Sequence, residues 1–194
     1  MNIDNECSME QGLDWVVDKN IKTIILGTFP SIKSRDICYY NHPQNLFWSI
    51  IAEAFNHGKP LKTKEDRYRC LLQKHVGLWD VIKQCEFEEK SSLDSKIIKE
   101  SIIFNDFEKL RKFCPNLSRF IFSSRNAELF FRRYQKCATF SNNLKKWLND
   151  DVVQMTLPST SPANARLKKD KKIEIWLKTL NNIQKEINPQ KSER

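Results

Sequence analysis

Residues 21–27 read IKTIILG, a nearly continuous apolar and β-branched run that ends at a glycine. Such a run is typical of a strand buried on both faces, as in a parallel sheet covered by helices. Leu117–Phe122 and Val152–Leu157 have the same character, and Val76–Ile82 is a shorter run of this kind. The sequence therefore predicts a central sheet of four strands.

Helical periodicity, with apolar residues three or four positions apart, fills the segments between these strands. The predicted helices span residues 9–18, 46–56, 65–75, 125–135 (with Leu129, Phe130 and Tyr134 facing inward), 142–149 and 167–187, and one more starts at Asn105 or Asp106 and ends before Pro115. We predict a polar connection at 83–95 and a short strand at 138–140. This alternation indicates an α/β fold of three α/β/α layers around a mainly parallel four-stranded sheet. We expect one domain over residues 1–187 and a solvated tail over 188–194.

Composition excludes several classes of protein. The 194 residues are 40% hydrophobic and 29% charged, which fits a globular domain and not a disordered or fibrous chain. No apolar run approaches the ~20 residues that cross a bilayer, and the first residues lack the order of a secretory signal. We therefore expect an intracellular, cytoplasmic monomer with no membrane association.

The chain is strongly basic, with 33 Lys and Arg against 24 Asp and Glu, a net charge of +9 and a pI near 9.3. A globular protein this basic usually binds a polyanion, and nucleic acid is the first candidate. A basic enzyme without such a partner is the alternative.

The 6 cysteines do not have metal-site spacing, and without an export signal a disulfide framework is not expected. None of them forms a C-x-x-C pair, and only 3 histidines are present. The ligand pattern of a zinc or iron–sulfur site is therefore missing. We expect reduced, mostly buried thiols, no metal and no cofactor.

A long loop, GTFPSIKSRDICYYNHPQN at residues 27–45, follows the first strand. In open parallel sheets the ligand crevice lies at the carboxyl ends of the strands, and long loops there are often functional. Gly27 allows a ligand to approach the backbone closely. Aromatic rings and amides suit a flat heterocycle that is stacked and read along its edge. The loop offers such side chains at Phe29, Tyr39, Tyr40, His42, Gln44 and Asn45. For Phe29, base stacking and core packing stay open as alternatives, whereas Phe47 and Trp48 are expected in the core.

A second loop, LPSTSPANA at residues 157–165, follows the last strand. Its hydroxyls and backbone N–H groups suit phosphate oxygens. The next helix begins among basic residues, and its N-terminus favours an anion. The candidate DNA contacts are Ser159, Ser161, Asn164, Arg166 and Lys168, together with Ser31 from the first loop. For the more distal lysines, a solvated basic helix face is the alternative.

Six segments carry a family resemblance over about residues 21–180. They are LGTFPS, YYNHPQNLFW, GLWDVI, SLDS, NDFEKL and LPSTSPANA, of which the second and the last are long and specific. Here the chain resembles the uracil-DNA glycosylase superfamily, and within it the DNA-deoxyinosine (hypoxanthine-DNA) glycosylase family. The resemblance implies base-excision repair by a monofunctional DNA glycosylase. Such an enzyme flips a deaminated base, hypoxanthine first, out of the duplex and hydrolyses its N-glycosidic bond.

The resemblance also implies roles for single residues. Mismatch-specific uracil and thymine glycosylases hold the attacking water with an Asn where this chain has Phe29. The family that it resembles more closely uses the Asn of its HPQN segment, here Asn45. Ser123 stands where relatives carry an Asn that reads the base. His42 either bonds the base or fixes its loop, and Asp80 either orients water or caps a turn.

The remaining implied roles concern base binding and DNA contact. Gly27, Phe29, Tyr40 and Ser123 make up the expected base-binding set. Ser159, Ser161 and Asn164 would hold phosphates beside the flipped nucleotide, and Pro162 and Ala163 would press into the gap left in the duplex.

Other functions stay open at this point. One alternative is a DNA glycosylase whose substrate is uracil or a mismatched base. A second alternative is a non-catalytic nucleic-acid-binding module, which would not need the amide of Asn45. A third is a metal-dependent nucleotide hydrolase. The last fits poorly, because the two loops hold one acid, Asp36, and a metal site needs several.

Overall fold

The computed structural model describes residues 8–35, 37–88, 91, 93–136 and 141–187. The strands are β1 Glu10–Gln11, β2 Thr23–Gly27, β3 Val76–Asp80, β4 Ile82–Cys85, β5 Ile103–Phe104, β6 Arg119–Phe122 and β7 Val153–Thr156. The helices are α1 Ile32–Arg35, α2 Phe47–Phe55, α3 Lys64–Leu72, α4 Phe107–Phe113, α5 Arg125–Lys136, α6 Asn142–Lys146 and α7 Lys169–Ile187. Short 3₁₀ turns lie at Asp94–Lys96 and Lys99–Ser101, and a π-helical turn at Trp147–Asp151.

Four parallel strands form the central sheet in the order β3-β2-β6-β7. The predicted parallel pairing of β2, β6 and β7 is confirmed, and so is the mainly parallel four-stranded sheet. Gly27 pairs with Asp80 across β2 and β3, and Ser123 N donates to Leu26 O at 2.9 Å. The carboxyl ends of these three strands are therefore level, which places residues 27, 80 and 123 beside one another.

Alternate residues of β2 enter different layers, because successive side chains of a strand point to opposite faces. Ile24 and Leu26 pack with residues of α4 and α5, whereas Ile25 packs with residues of α2 and α7. Trp176 of α7 is fully buried in the second layer. Helices thus cover both faces of the sheet, as predicted, and fix the position of its carboxyl edge.

The predicted helix at 9–18 is wrong. This segment is extended, since β1 pairs antiparallel with β4, and Val16 exchanges backbone hydrogen bonds of 2.9 and 3.0 Å with Leu78 of β3. β3 lies at one edge of the central sheet and would otherwise leave these backbone groups unpaired. The apolar side chains at 13, 16 and 17 fit either conformation, so their spacing could not decide between them. The predicted polar connection at 83–95 likewise contains most of β4.

Two further helix predictions need correction. On α5, Leu129 is 48% exposed and Phe131 is fully buried. The inward face follows Ala127, Phe131 and Tyr134, at the i, i+4 and i+7 spacing of a helix stripe. The helix predicted at 142–149 is α6 followed by the π-helical turn. The strand predicted at 138–140 lies outside the described residues.

The predicted burial of the thiols is confirmed for the cysteines that the structure describes. Cys38, Cys70, Cys85 and Cys114 are buried and free. Among the described residues, no group of three or more His, Cys, Asp or Glu side chains is arranged to hold a metal ion. Within the same ranges, no helix has the length and apolar character needed to cross a membrane.

Candidate active site at the carboxyl edge of the sheet

The two loops singled out in the sequence meet at the carboxyl edge of the sheet. Leu46 N, at the end of the first loop, donates to Thr160 O of the second at 3.1 Å. Asn45 and Ser161 are the chain neighbours of this bonded pair. The structure therefore brings the HPQN segment and the STS segment into one region.

The HPQN segment folds into a tight turn at the start of α2. Asn45 N donates to His42 O at 2.8 Å, and Gln44 N donates to His42 Nδ1 at 3.2 Å. Phe47 N donates to Asn45 Oδ1 at 3.0 Å. Because Nδ1 accepts this bond, we assign the neutral His42 ring the Nε2–H tautomer. A carbonyl oxygen has two lone pairs, so Asn45 Oδ1 can accept a second bond from a water.

Tyr40 forms a flat platform next to this turn. Its ring stacks on Phe47 with 3.9 Å between ring centroids and 21° between planes, and Phe47 meets Trp48 edge-on. The Tyr40 backbone is left-handed, with φ of 55°. A non-glycine residue in that region costs roughly 1–3 kcal/mol and persists where its surroundings hold it. The stack with Phe47 supplies that support.

The Phe29 ring packs within a small hydrophobic cluster. It lies 5.8 Å from the Phe87 ring, and the Arg35 guanidinium lies over both rings at 5.2 and 5.1 Å. Arg35 is held in turn by a 2.6 Å ion pair with Glu10. These contacts explain an aromatic residue at position 29 by packing alone. Base stacking by Phe29 stays a prediction.

A polar cluster, here called the Asp80 cluster, consists of Gly27, Tyr40, Asp80 and Ser123. A Cβ atom on Gly27 would lie 2.2 Å from Asp80 Oδ1 and 3.5 Å from the Tyr40 hydroxyl. Asp80 Oδ2 and the Tyr40 hydroxyl are both buried, and neither finds a hydrogen-bond partner among the described residues. The Ser123 side chain lies near the Tyr40 hydroxyl but does not form a hydrogen bond of good geometry with it. Its nearness lowers the pKa of Tyr40 by less than burial raises it.

Burial controls the electrostatics of this cluster. It raises the pKa of Asp80 to about 8, and the nearby Asp94 carboxylate adds to the rise. Burial and then the charge of Asp80 raise the pKa of Tyr40 well above its ordinary value. Asp94 accepts hydrogen bonds from Thr28 Oγ1 at 2.8 Å and Asn126 Nδ2 at 3.1 Å. Near neutral pH both Asp80 and Tyr40 are thus mainly protonated.

Sequence reasoning missed this arrangement around Asp80. The sequence leaves two alternative roles open for Asp80, orienting a water or capping a turn. The turn-capping role does not explain the Oδ2 atom, which has no hydrogen-bond partner in the described part of the chain. The sequence did contain one signal, an acidic residue at the end of the predicted strand GLWD. This strand pairs with the strand that ends at Gly27, and the pairing places Asp80 opposite Gly27. That register could not be read from either segment alone.

We expect Asp80 to make stability fall as pH rises. A carboxyl of the unfolded chain ionises near pH 4, at about 3.9, whereas the folded-state pKa of Asp80 is about 8. Between these values the folded protein retains a proton that the unfolded chain has released, so the free energy of unfolding decreases with pH. Asp80→Asn cannot ionise and should therefore stabilise the protein more near pH 8 than near pH 5. Urea unfolding of both proteins measures this, and an equal effect at the two pH values would contradict it.

The second loop turns its side-chain oxygens toward its own backbone. Ser159 Oγ accepts from Ser161 N and Ser161 Oγ accepts from Ala163 N, both at 3.3 Å, and Asn164 Oδ1 accepts from Arg166 N at 3.2 Å. The hydroxyl hydrogens and the Asn164 amide hydrogens stay available as donors. Between residues 157 and 168, the exposed residues are Pro162, Ala163, Ala165, Arg166 and Lys168.

Two contacts tie this loop to α7. Trp176 Nε1 donates to Pro158 O at 2.8 Å, and the Lys172 ammonium donates to Asn164 O. In the first loop, the half-buried Ser31 hydroxyl bonds the Ser34 hydroxyl at 3.1 Å. All the predicted DNA contacts therefore lie on segments that leave or flank the carboxyl edge.

Two open surface depressions lie at the other end of the sheet. One is lined by Asn20 and His75, just before β2 and β3, and the other by Ser118 and Trp147, near the start of β6. Neither is lined by a residue predicted for the site. The convergent polar groups are found instead at the carboxyl edge, where parallel sheets place their ligands.

A family model described as the uracil DNA glycosylase superfamily matches residues 15–181, which include both loops and the Asp80 cluster. The chain belongs to this superfamily. A hypoxanthine DNA glycosylase from Methanosarcina acetivorans is 32% identical over 167 residues, covering 86% of this chain and 95% of the relative. A hypoxanthine DNA glycosylase from Methanosarcina barkeri is 32% identical over 119 residues, covering 61% of this chain and 73% of the relative.

A solved structure shares the fold of this superfamily member. It is the solution NMR structure of a candidate uracil DNA glycosylase from Methanosarcina acetivorans, with a TM-score of 0.69 and 30% identity. The match covers 91% of this chain and 99% of that one. The three-layer arrangement predicted from the strand runs is therefore the uracil DNA glycosylase fold.

Within the superfamily, the chain departs from the mismatch-specific pattern at Phe29. A phenyl ring cannot hydrogen-bond a water, and this ring is packed against Phe87 and Arg35. The amide of the HPQN turn lies where the two loops meet, two residues before Phe47, on which Tyr40 stacks. The role of Asn45 in positioning a water stays a prediction.

Proposed function

We propose that this protein is a monofunctional DNA glycosylase that removes hypoxanthine from deoxyinosine in DNA. The observation that carries the proposal is the placement of Asn45, in a hydrogen-bonded turn at the junction of the two loops that is bonded to Phe47, on which Tyr40 stacks. Similarity to relatives named hypoxanthine DNA glycosylases over most of the chain supports the choice of base.

In the proposed reaction the target nucleotide leaves the base stack and its base lies on Tyr40. Asn45 Oδ1 accepts a hydrogen bond from a water below C1′, in addition to the bond from Phe47 N. As the bond from C1′ to the base breaks, positive charge develops on the sugar, and a neutral, oriented water is a sufficient nucleophile. No lysine nucleophile is needed, so the product is an abasic site.

The polar groups near Tyr40 can read the base edge. Hypoxanthine presents a carbonyl acceptor beside an N–H donor. His42 Nε2–H can donate to such a carbonyl, and the Ser123 hydroxyl can donate or accept. Gly27 leaves room for the Asp80 carboxyl, because a Cβ atom there would lie 2.2 Å from Oδ1. Uracil carries the same pair of groups, which keeps uracil as the second candidate base.

The second loop and the start of α7 form the proposed DNA contact. Ser159, Ser161 and Asn164 offer donors to phosphates flanking the flipped nucleotide, and Arg166 and Lys168 add exposed positive charge. The protein then acts on DNA inside the cell as a single-domain monomer, with Pro162 and Ala163 pressed into the gap left by the base.

A panel of duplexes tests this proposal. Each duplex carries one hypoxanthine, uracil, xanthine or ethenoadenine, and alkali-sensitive strand breaks report abasic sites. We expect the fastest release from the hypoxanthine duplex. Faster uracil release would assign the second candidate, and no release from any duplex, with DNA binding retained, would favour a non-catalytic binding module.

DNA binding is expected to weaken steeply as salt rises. Each phosphate contact contributes about −0.9 to the slope of log K against log salt for duplex DNA. Arg166→Gln and Lys168→Gln should each reduce that slope, whereas Lys185→Gln, in the last turn of α7, should not. Fluorescence anisotropy at several salt concentrations measures the slopes. Equal slopes for all four proteins would remove Arg166 and Lys168 from the interface.

A further inference from the structure

The Asp80 carboxyl takes no part in the steps above, yet it and the neighbouring Tyr40 hydroxyl each include a buried polar atom without a partner in the described part of the chain. Asp80 Oδ2 and the Tyr40 hydroxyl make no hydrogen bond within the described residues. Buried polar atoms in native proteins are nearly always hydrogen-bonded, so two neighbouring exceptions need an explanation. A ligand that brings the missing partner is one such explanation.

The position of the cluster supports that explanation. Asp80 Oδ1 lies against Gly27, at the end of the central strand β2, and a Cβ atom there would be 2.2 Å away. Tyr40 belongs both to this cluster and to the aromatic stack with Phe47. A base that lies on Tyr40 is thus adjacent to Asp80.

We propose that Asp80 is the general acid of the reaction and donates its carboxyl proton to a ring nitrogen of the departing hypoxanthine. This inference rests on the proposed function. A purine leaves more easily as a neutral molecule than as an anion, so a positioned proton donor lowers the barrier. General acid catalysis typically contributes about 10²–10⁴-fold in rate.

The step balances with water as the only co-reactant. The bond from C1′ to the base nitrogen breaks, and its electron pair stays with the base, which takes the Asp80 proton. The water held by Asn45 forms the new C1′–O bond and releases one proton. That proton restores the Asp80 carboxyl, leaving neutral hypoxanthine and an abasic sugar.

The groups around Asp80 keep its proton in place. Tyr39 and Tyr40 from the first loop, Tyr68 from α3 and Asp94 from the 3₁₀ turn all interact with it electrostatically. The tyrosine pKa values are raised, chiefly by burial, so these three rings are neutral near pH 7. Burial, and then Asp94, raise the pKa of Asp80 to about 8. Asp94 therefore acts as a positioning residue that favours the acid form of Asp80.

Single-turnover release of hypoxanthine as a function of pH tests the proposal. The wild-type rate should fall above about pH 8, because the proton donor is lost. Asp80→Asn keeps the shape of the side chain and should lower the rate about 100-fold or more, with no fall above pH 8. Asp94→Asn removes a nearby negative charge and should move the alkaline fall of the rate to lower pH. Asp66→Asn, on the exposed surface of α3, should leave that fall in place.

The outcomes separate this proposal from the proposed function. A wild-type protein that releases hypoxanthine while Asp80→Asn matches its rate would overturn the acid role alone. The acid role also fails if Asp80→Asn is slow but keeps the wild-type alkaline fall. Should Asp80→Asn not fold by circular dichroism, the pH shift in Asp94→Asn decides. A wild-type protein that releases no hypoxanthine from any duplex would overturn both proposals.

Discussion

Asn45→Ala is expected to abolish hypoxanthine release while DNA binding survives. In the proposed reaction the amide contacts the attacking water and not the DNA backbone, so its loss should act on the transition state and leave ground-state binding intact. Removing one positioning group of this kind costs on the order of 10²–10³ in rate, or ~3–4 kcal/mol. Single-turnover assays measure the rate, and anisotropy measures the affinity. A wild-type rate for Asn45→Ala would end the assignment and direct attention to His42 and Asp80 as partners of the water.

Two control variants separate chemistry from folding in this experiment. Asn45 Oδ1 also accepts a hydrogen bond from Phe47 N at the start of α2, so alanine should lower the free energy of unfolding by about 1 kcal/mol. Asn45→Asp retains that acceptor and should keep partial activity, because its carboxylate can hold a water but repels phosphates. Gln44→Ala changes a neighbouring exposed amide and should remain close to wild type in both assays.

Gly27→Ala is expected to cause the second large loss. The added Cβ atom would lie 2.2 Å from Asp80 Oδ1, well inside contact distance, so the carboxyl must move. Overpacking of this kind typically costs about 1–3 kcal/mol of stability. Displacing Asp80 should in addition slow base release at least 100-fold, if general acid catalysis contributes about 10²-fold or more. Thermal unfolding and single-turnover assays on the same preparation measure both effects.

A double variant shows whether the clash with Asp80 is the cause. Asp80→Gly removes the carboxyl that the new methyl group would strike, so Gly27→Ala should cost little stability in that background. Activity should not return, because the proposed proton donor is gone. Equal destabilisation by Gly27→Ala in the wild-type and Asp80→Gly backgrounds would show that a different neighbour of Gly27 is responsible.

The strands were predictable because their signal is local. A strand covered on both faces needs apolar side chains at nearly every position, and β2 and β6 show that pattern directly. The extended segment at 9–18 was not predictable, because Leu13, Val16 and Val17 suit both a helix face and an edge segment. Its conformation depends on the backbone groups that Leu78 leaves to be paired. Those groups belong to a distant part of the chain.

The candidate site also has features that the sequence predicts and features that depend on tertiary packing. Its loops could be recognised from their content, since Gly27, Tyr40, His42 and Asn45 lie close together in one segment. The inward turn of Phe131, in place of Leu129, depends on how α5 packs against the sheet. Which amides and rings face each other across the two loops also depends on packing.

The sequence by itself determined the layered fold, the two loops and the types of side chain that they carry, because each of these follows from neighbouring residues. Only the tertiary structure decided the chemistry of Asp80. Its carboxyl meets Gly27 because β2 and β3 pair in one particular register, and its pKa rises because the carboxyl is buried and, to a smaller extent, because Asp94 lies near it. Register and burial join residues that are far apart in the chain, so no local pattern records them.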